Sequence, residues 1–280
     1  MGGNSSPFTV LISGMVFHLS SHAVNAGYRV ESFGRVESTS VLAAEIAKNG
    51  DRGKVWVVAD EQTAGRARRG RVWVSRPGNL YATLLLVDDF NPGQAATLGF
   101  VAGVSLIEAL GRVMPEVVLT AQAVKLKWPN DVLADGAKLA GILLELVPLD
   151  SRYNAIMIGI GVNVTGSPAG LPYPATSLRQ IGVDCSPADV FEALSHIWVD
   201  NCRVWDRGIG LDTIRGKWLQ HAANLGQNVH VTIDGDMVSG IFETIDHNCH
   251  FILRKDDGQK ITIPTGDVYF GTVASVHTQS

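Results

Sequence analysis

The sequence predicts an α+β protein: a mixed sheet with helices packed on it, followed by a small β-barrel. Three observations lead there. Hydrophobic residues make up 46% of the chain, enough to bury a sizeable core. Up to about residue 222, apolar runs of strand length are interspersed with long helical stretches. Beyond Gly226 only short strands remain, closely spaced and separated by turn residues. The 280 residues divide accordingly into a leader or edge segment over 1–28, a large domain over 29–224 and the barrel over 225–280.

Taken in order, Ser38 and Thr39 can cap a helix through Leu42, Ala43, Ile46 and Ala47 that ends at Asn49-Gly50. Residues 54–59 and 79–87 are buried strands, and the Gly- and Arg-rich stretch between them has no apolar period and is a loop. A helix of small and apolar residues follows over 94–113, with Pro115 just past its end. Residues 124–128, 138–147 and 155–164 are strands. Residues 188–206 and 211–222 are helices whose Trp198, Trp205 and Trp218 belong to the core. In the barrel, strands over 229–233, 238–245, 250–254 and 260–264 are divided by Asp234-Gly235, Asp246-His247-Asn248 and Asp256-Asp257-Gly258.

Charge is nearly balanced, with 23 basic and 27 acidic residues, so neither a global basic field for nucleic acid nor an acidic tail is present. Three cysteines, Cys185, Cys202 and Cys249, lie far apart, which fits a reduced intracellular protein and neither a disulfide scaffold nor a zinc site. The apolar stretch 7–19 has no Lys or Arg before it, as a signal peptide would, and is too short to span a bilayer. Residues 1–6 formally match the N-myristoylation pattern, although a flexible Gly/Ser leader explains them more simply. The expectation is a cytoplasmic protein with no membrane attachment.

Arg66, Arg68, Arg69, Arg71 and Arg76 fall within eleven positions. In Gln62-Thr63-Ala64-Gly65-Arg66-Ala67-Arg68-Arg69-Gly70-Arg71, glycines let the backbone turn while guanidiniums gather, which suits phosphate or carboxylate oxygens. A solvated basic loop or an RNA-binding patch would use the same residues, and GxxxxGK[ST] is absent. In Lys125-Leu126-Lys127-Trp128-Pro129-Asn130-Asp131, Pro129 stops a strand and presents Asn130 and Asp131 at its end. Asp131 suits Mg²⁺, which takes one or two carboxylates plus phosphate oxygens. A hairpin at Asp135-Gly136 returns Lys138 nearby. Such a pair is most often an exposed ion pair, but Gly141 in the apolar strand after Lys138 could admit a ligand against bare backbone. Gly159-Ile160-Gly161-Val162-Asn163 ends a buried strand on a polar amide.

In order and spacing, these blocks resemble the biotin protein ligase catalytic domain. The resemblance is carried by Glu37-Ser38-Thr39, QTAGRARRGRVW (62–73), Asn79-Leu80-Tyr81, KWPND (127–131), KLAGILLE (138–145) and GIGVN (159–163), and spans roughly residues 30–220. It makes the terminal module an SH3-like β-barrel and implies a two-step reaction. A biotin carboxylate attacks the α-phosphate of ATP, giving biotinyl-5′-AMP and pyrophosphate, and a carrier lysine then attacks the mixed anhydride.

By the same resemblance Lys138, Arg66 and Arg68 are catalytic. Biotin is bound by Ser38, Thr39, Ser40, Gln62, Gly65, Arg66, Ala67, Arg68, Lys138, Gly141 and Gly159. The nucleotide is bound by Arg68, Arg71, Trp73, Asn130, Lys138 and Asn163, with Trp73 near the adenine, and Asp131 holds Mg²⁺. ATP and biotin are substrates, and the partner is a biotin carboxyl carrier protein domain. A homodimer through sheet-edge pairing is possible.

Three departures stand out. Ser40 replaces an asparagine of the family pattern, Ala67 replaces a glycine and would be strained at positive φ, and Gly271 stands where some members carry a nucleotide-reaching arginine. No barrel residue is therefore assigned to the site. About thirty residues precede the catalytic block, with no helix-turn-helix, so no specific DNA binding is expected. The closest alternative is a lipoate or octanoate ligase or transferase. A nucleic-acid-binding module is the other, against which the net charge of −4 speaks.

Overall fold

The computed structural model describes residues 15–116, 118, 124–233 and 236–269. A seven-stranded mixed sheet, in the order β1-β2-β3-β7-β6-β5-β4, forms the larger part. Its strands are β1 (Arg29–Val36), β2 (Gly53–Gln62), β3 (Leu80–Asp88), β4 (Val124–Lys127), β5 (Asp131–Ala134), β6 (Ala137–Pro148) and β7 (Asn154–Val162). Only β1 and β2 run parallel, joined by helix α2 (Thr39–Lys48). The expected single hairpin from residue 128 to Lys138 contains an additional short strand, β5, which pairs with β4 and β6.

The period-2 pattern of β7 explains the layout of the domain. Ile156, Ile158, Ile160 and Val162 point into the main core, where α3 (Pro92–Val113), α4 (Pro187–Trp205) and α5 (Leu211–Gln220) pack. Ala155 and Met157 point the other way, into a small second core under α2. Further along that second face stand Gly159 and Gly161, where apolar bulk gives way to bare backbone. Antiparallel register continues the row sideways: Lys127 opposite Asp131, Asp131 opposite Gly141, Gly141 opposite Gly161, and Gly161 opposite Tyr81. The part of the sheet that α2 does not cover is thus lined by polar residues and glycines.

Capping sets the helix starts. Asn91 and Gln94 form a capping box with Pro92 in the first turn, and Ser186 and Asp189 do the same ahead of Pro187. Each of these two helices therefore begins one or two residues before its apolar period. Helix α3 is apolar and long enough to cross a membrane by length and composition, yet 67% of its apolar window is buried inside the fold.

The expected leader or edge strand over 1–28 needs correction where it is described. Helix α1 (Ser21–Asn25), capped by Ser20, lies on α4, and Phe17 packs edge-on against Phe191 at 5.7 Å. The apolar residues there bury against a helix face instead of pairing with a strand. Residues 1–14 lie outside the described ones.

The C-terminal module is an antiparallel sheet in the order β11-β10-β9-β8-β12, built from β8 (Asn228–Ile233), β9 (Asp236–Ile245), β10 (Phe251–Arg254), β11 (Lys260–Ile263) and β12 (Asp267–Tyr269). It is consistent with a small SH3-like barrel, and β12 is a strand the sequence pattern did not announce. The Trp128 indole fixes the module to the larger sheet by donating to Cys249 O at 3.1 Å and packing 5.3 Å from Phe251.

Candidate active site

The arginine segment folds back on itself as a small hairpin over the glycine-lined face. Arg66 bridges Val72, the Ala67 amide donates to Arg71 O at 2.8 Å, and the Trp73 amide donates to Gly65 O at 2.9 Å. Ala67 sits at φ −128°, ψ 176°, ordinary extended backbone. The positive φ that would have strained it is not adopted. The left-handed conformation falls instead on Arg69, at φ 57°, where a side chain is uncommon.

Trp73 then lays its ring on the sheet. A Cβ at Gly161 would come within 2.7 Å of the indole, and one at Gly141 within 2.9 Å. These two glycines pair across β6 and β7, and only bare backbone at both leaves room for the ring. Gly141 does offer bare backbone, as expected of it. The space is filled by this chain's own tryptophan, whose Nε1 is buried without a partner.

Beside this seat, Lys138 Nζ lies 2.7 Å from Asp131 Oδ1, an ion pair without hydrogen-bond alignment, with Trp73 and Tyr173 rings 5.5 and 5.6 Å from the ammonium. The backbone of Lys138 is fixed on both sides, its amide donating to Pro174 O at 2.8 Å and its carbonyl accepting from Thr176 N at 2.9 Å. Asn163 braces this junction: its buried amide donates to Thr176 O at 2.9 Å and Lys138 O at 3.5 Å. The nucleotide contact expected of Asn163 is not where its side chain is spent. It acts on the strand that carries Lys138.

Asn130 donates to Ile142 O at 2.6 Å and accepts from Arg68 Nη1 at 3.3 Å. Arg68 also reaches the barrel, donating to Gly266 O and Thr265 Oγ1, each at 3.4 Å. Asp267 of β12 gathers Arg69 at 2.9 Å, Arg71 at 2.6 Å and Arg68 at 3.7 Å. The assignment of no barrel residue to the site is corrected here, although Gly271 itself lies outside the described residues. Burial pulls the Arg68 guanidinium below its usual pKa while Asp267 opposes the shift. Lys127, beside Asp131, is lowered in the same way, by burial first. Arg66 pairs with Glu145 on the same face of β6.

At the other end of this face is the N-terminus of α2. Ser38 is its N-cap, with no capping hydrogen bond from its side chain. The Thr39 amide and hydroxyl donate to Gln62 Oε1 at 2.9 and 3.1 Å, the Thr39 and Thr83 hydroxyls lie 2.8 Å apart, and Ser40 Oγ lies 3.3 Å from Thr83 Oγ1. Gly159 lies alongside, where a Cβ would stand 3.1 Å from Ser40 Oγ. All these hydroxyls are buried, and the helix terminus adds partial positive charge.

The expected site residues thus gather on one face. The sequence reading missed Thr83, Tyr173 and Asp267, and gave Lys127 no role although it stood in the KWPND block. Thr83 could have been found, as a polar residue two positions from Tyr81 in an otherwise apolar strand. Asp267 gave no local signal. A separate cavity of about 310 Å³ lies across β6, between α3, Trp128 and the barrel residues Cys249 and Pro264, with Ile142 and Leu144 in its wall. It meets the site only at Arg68 and Asn130.

The sequence matches the biotin/lipoate A/B protein ligase family over residues 32–163 and the biotin protein ligase C-terminal domain over residues 225–271. A biotin–[acetyl-CoA-carboxylase] ligase of Paracoccus denitrificans is 37% identical over 246 residues, covering 85% of this chain and 98% of the relative. The chain belongs to the biotin protein ligase family. Among solved biotin protein ligases, that of Aquifex aeolicus in complex with biotin and ATP aligns at TM-score 0.70 and 26% identity, over 86% of this chain and 97% of that one. The Leishmania major enzyme in complex with biotinyl-5-AMP aligns at TM-score 0.59 and 26% identity, over 84% and 98%. The family match to residues 32–163 contains the arginine hairpin, Asp131, Lys138 and both seat glycines.

Proposed function

We propose that this protein is a cytoplasmic biotin protein ligase, which activates biotin with ATP to biotinyl-5′-AMP and transfers the biotinyl group to a lysine of a biotin carboxyl carrier domain. The observation that supports this most is the convergence, on one sheet face, of a buried hydroxyl and amide cluster with the Lys138–Asp131 pair and the arginine hairpin.

The cluster of Ser38, Thr39, Ser40, Thr83 and Gln62 offers donors and acceptors to a ureido ring. Arg66 and Arg68 hold the carboxyl and phosphate oxygens, and Lys138 stabilises the charge that builds on the α-phosphate as the carboxylate oxygen bonds to phosphorus and the bond to pyrophosphate breaks. The Trp73 ring provides a flat apolar surface for the adenine. Asp131 fits a Mg²⁺ ion, since its Oδ1 is buried, makes no hydrogen bond and has only the Lys138 ammonium against it. With the phosphate oxygens it would hold the ion, which supplies charge neutralisation when bound. In the second step the carrier amine attacks the anhydride carbonyl and AMP leaves. Specific DNA binding has no part in this reading.

Incubation of the protein and a biotin carboxyl carrier domain with ATP, Mg²⁺ and either biotin or lipoate tests it by intact mass. One biotinyl group on a single carrier lysine is expected. An unmodified carrier, or modification with lipoate in place of biotin only, would contradict the proposal.

A further inference from the structure

We propose that Asp267 is a positioning residue for this reaction, an internal counter-ion that holds the arginine hairpin over the sheet until the polyphosphate of ATP displaces it. The proposal rests on the ligase reading above. Its basis is the way one barrel carboxylate collects three guanidiniums. Arg69 and Arg71 both reach Asp267 Oδ2, at 2.9 and 2.6 Å, and Arg68 stands 3.7 Å from Oδ1. Three positive charges on one negative leave the cluster with an excess of cation. It sits beside Lys127, which feels both Asp267 and Asp131. Without the carboxylate the guanidiniums would repel one another across a short hairpin whose Arg69 is already in the left-handed region.

The chemistry favours exchange over a permanent bond. The side chains of Arg69 and Arg71 are 46% and 56% exposed, and ion pairs that open to water are weak. A polyphosphate presents several negative oxygens and suits bidentate arginine binding better than a lone carboxylate does. Asp267 therefore keeps the hairpin near its working position without outbidding the substrate. The release also couples the barrel to the state of the site, since Arg68 holds Thr265 and Gly266 of the same segment.

Inorganic pyrophosphate is the probe. In calorimetric titrations, D267N, which keeps the side-chain shape but removes the charge, is expected to bind pyrophosphate about threefold to tenfold more tightly than the parent, because no carboxylate has to be displaced. In turnover the same variant is expected to lose kcat by about tenfold with biotin KM unchanged, as arginines without their guide take up the productive geometry less often. D267E should return pyrophosphate affinity and most of the turnover. Unchanged or weaker pyrophosphate binding by D267N would overturn the proposal. So would a parallel loss of biotin affinity and melting temperature, the signature of a purely structural contact. A parent protein that binds pyrophosphate in this pattern yet releases none from ATP and biotin would refute the ligase reading and leave the counter-ion intact.

Discussion

Lys138 combines a charge, a fixed backbone and a metal-suited neighbour. Its carbonyl and amide are tied to the segment at Pro174–Thr176, and its ammonium lies between Asp131 and two aromatic rings. Lys138→Ala should lower pyrophosphate release by about 10²–10³-fold, the usual effect of removing a group that stabilises developing charge, with an unchanged circular dichroism spectrum. Near-normal release would remove its assigned role. Arg68→Gly, which deletes the link between Asn130 and the barrel, should let the adenylate leave early. Indiscriminate lysine labelling of a bystander protein is expected to rise, and unchanged specificity would argue against retention by Arg68. The cysteines contribute in the opposite sense. Burial pushes the thiol of Cys185 up to about 11 and that of Cys249 up to about 12, and raises Cys202 too. A raised thiol pKa means protonated sulfur throughout the neutral range, with the thiolate forming only as pH climbs toward that value. Brief treatment with iodoacetamide at pH 7.5 should therefore leave turnover intact, whereas rapid inactivation would point to a reactive thiol in the cycle.

At the scale of elements, the site is a place where strand packing is interrupted on purpose. On β7 the face toward α2 runs Ala155, Met157, Gly159, Gly161, and the last two residues trade core bulk for bare backbone against which Ser40 and the Trp73 ring sit. Gly161→Ala places a methyl 2.7 Å from Trp73, and overpacking of this kind costs about 1–3 kcal/mol. A lower melting temperature is expected, together with a strongly non-additive Gly161→Ala/Trp73→Ala double variant, because removing the ring vacates the space. Additive losses would show that the ring does not depend on that glycine. Much of this was legible in the chain. Helices α2 to α5 and the strands β2, β3, β4, β6 and β7 announced themselves by period and caps, and Gly65, Lys138 and Asp131 by their motifs, whereas α1 and β1 went unread. What stayed hidden was set by tertiary contact. The short strands β5 and β12 are too brief for an alternation to register. Asn163 turned out to be bracing because its amide meets carbonyls brought in by residues 138 and 176. Asp267 lies 196 residues from Arg71, and no local pattern links a barrel carboxylate to a loop that distant.

The whole molecule places its chemistry where three parts meet: the uncovered face of the mixed sheet, the N-terminus of α2, and the barrel segment from Thr265 to Asp267. Trp128 docks the barrel from one side and the arginine hairpin ties it from the other, so the barrel stands at the end that the proposed reading gives to the nucleotide. The cluster at α2 is at the opposite end, where the proposed reading puts the choice of acid. Pyrophosphate release from ATP, measured with biotin and with lipoate for the parent protein and for Lys138→Ala, tests this division most directly. Release with biotin, little with lipoate, and loss of the biotin-dependent signal in the variant is the expected result. Release with lipoate alone, or with biotin equally in the variant, would contradict it.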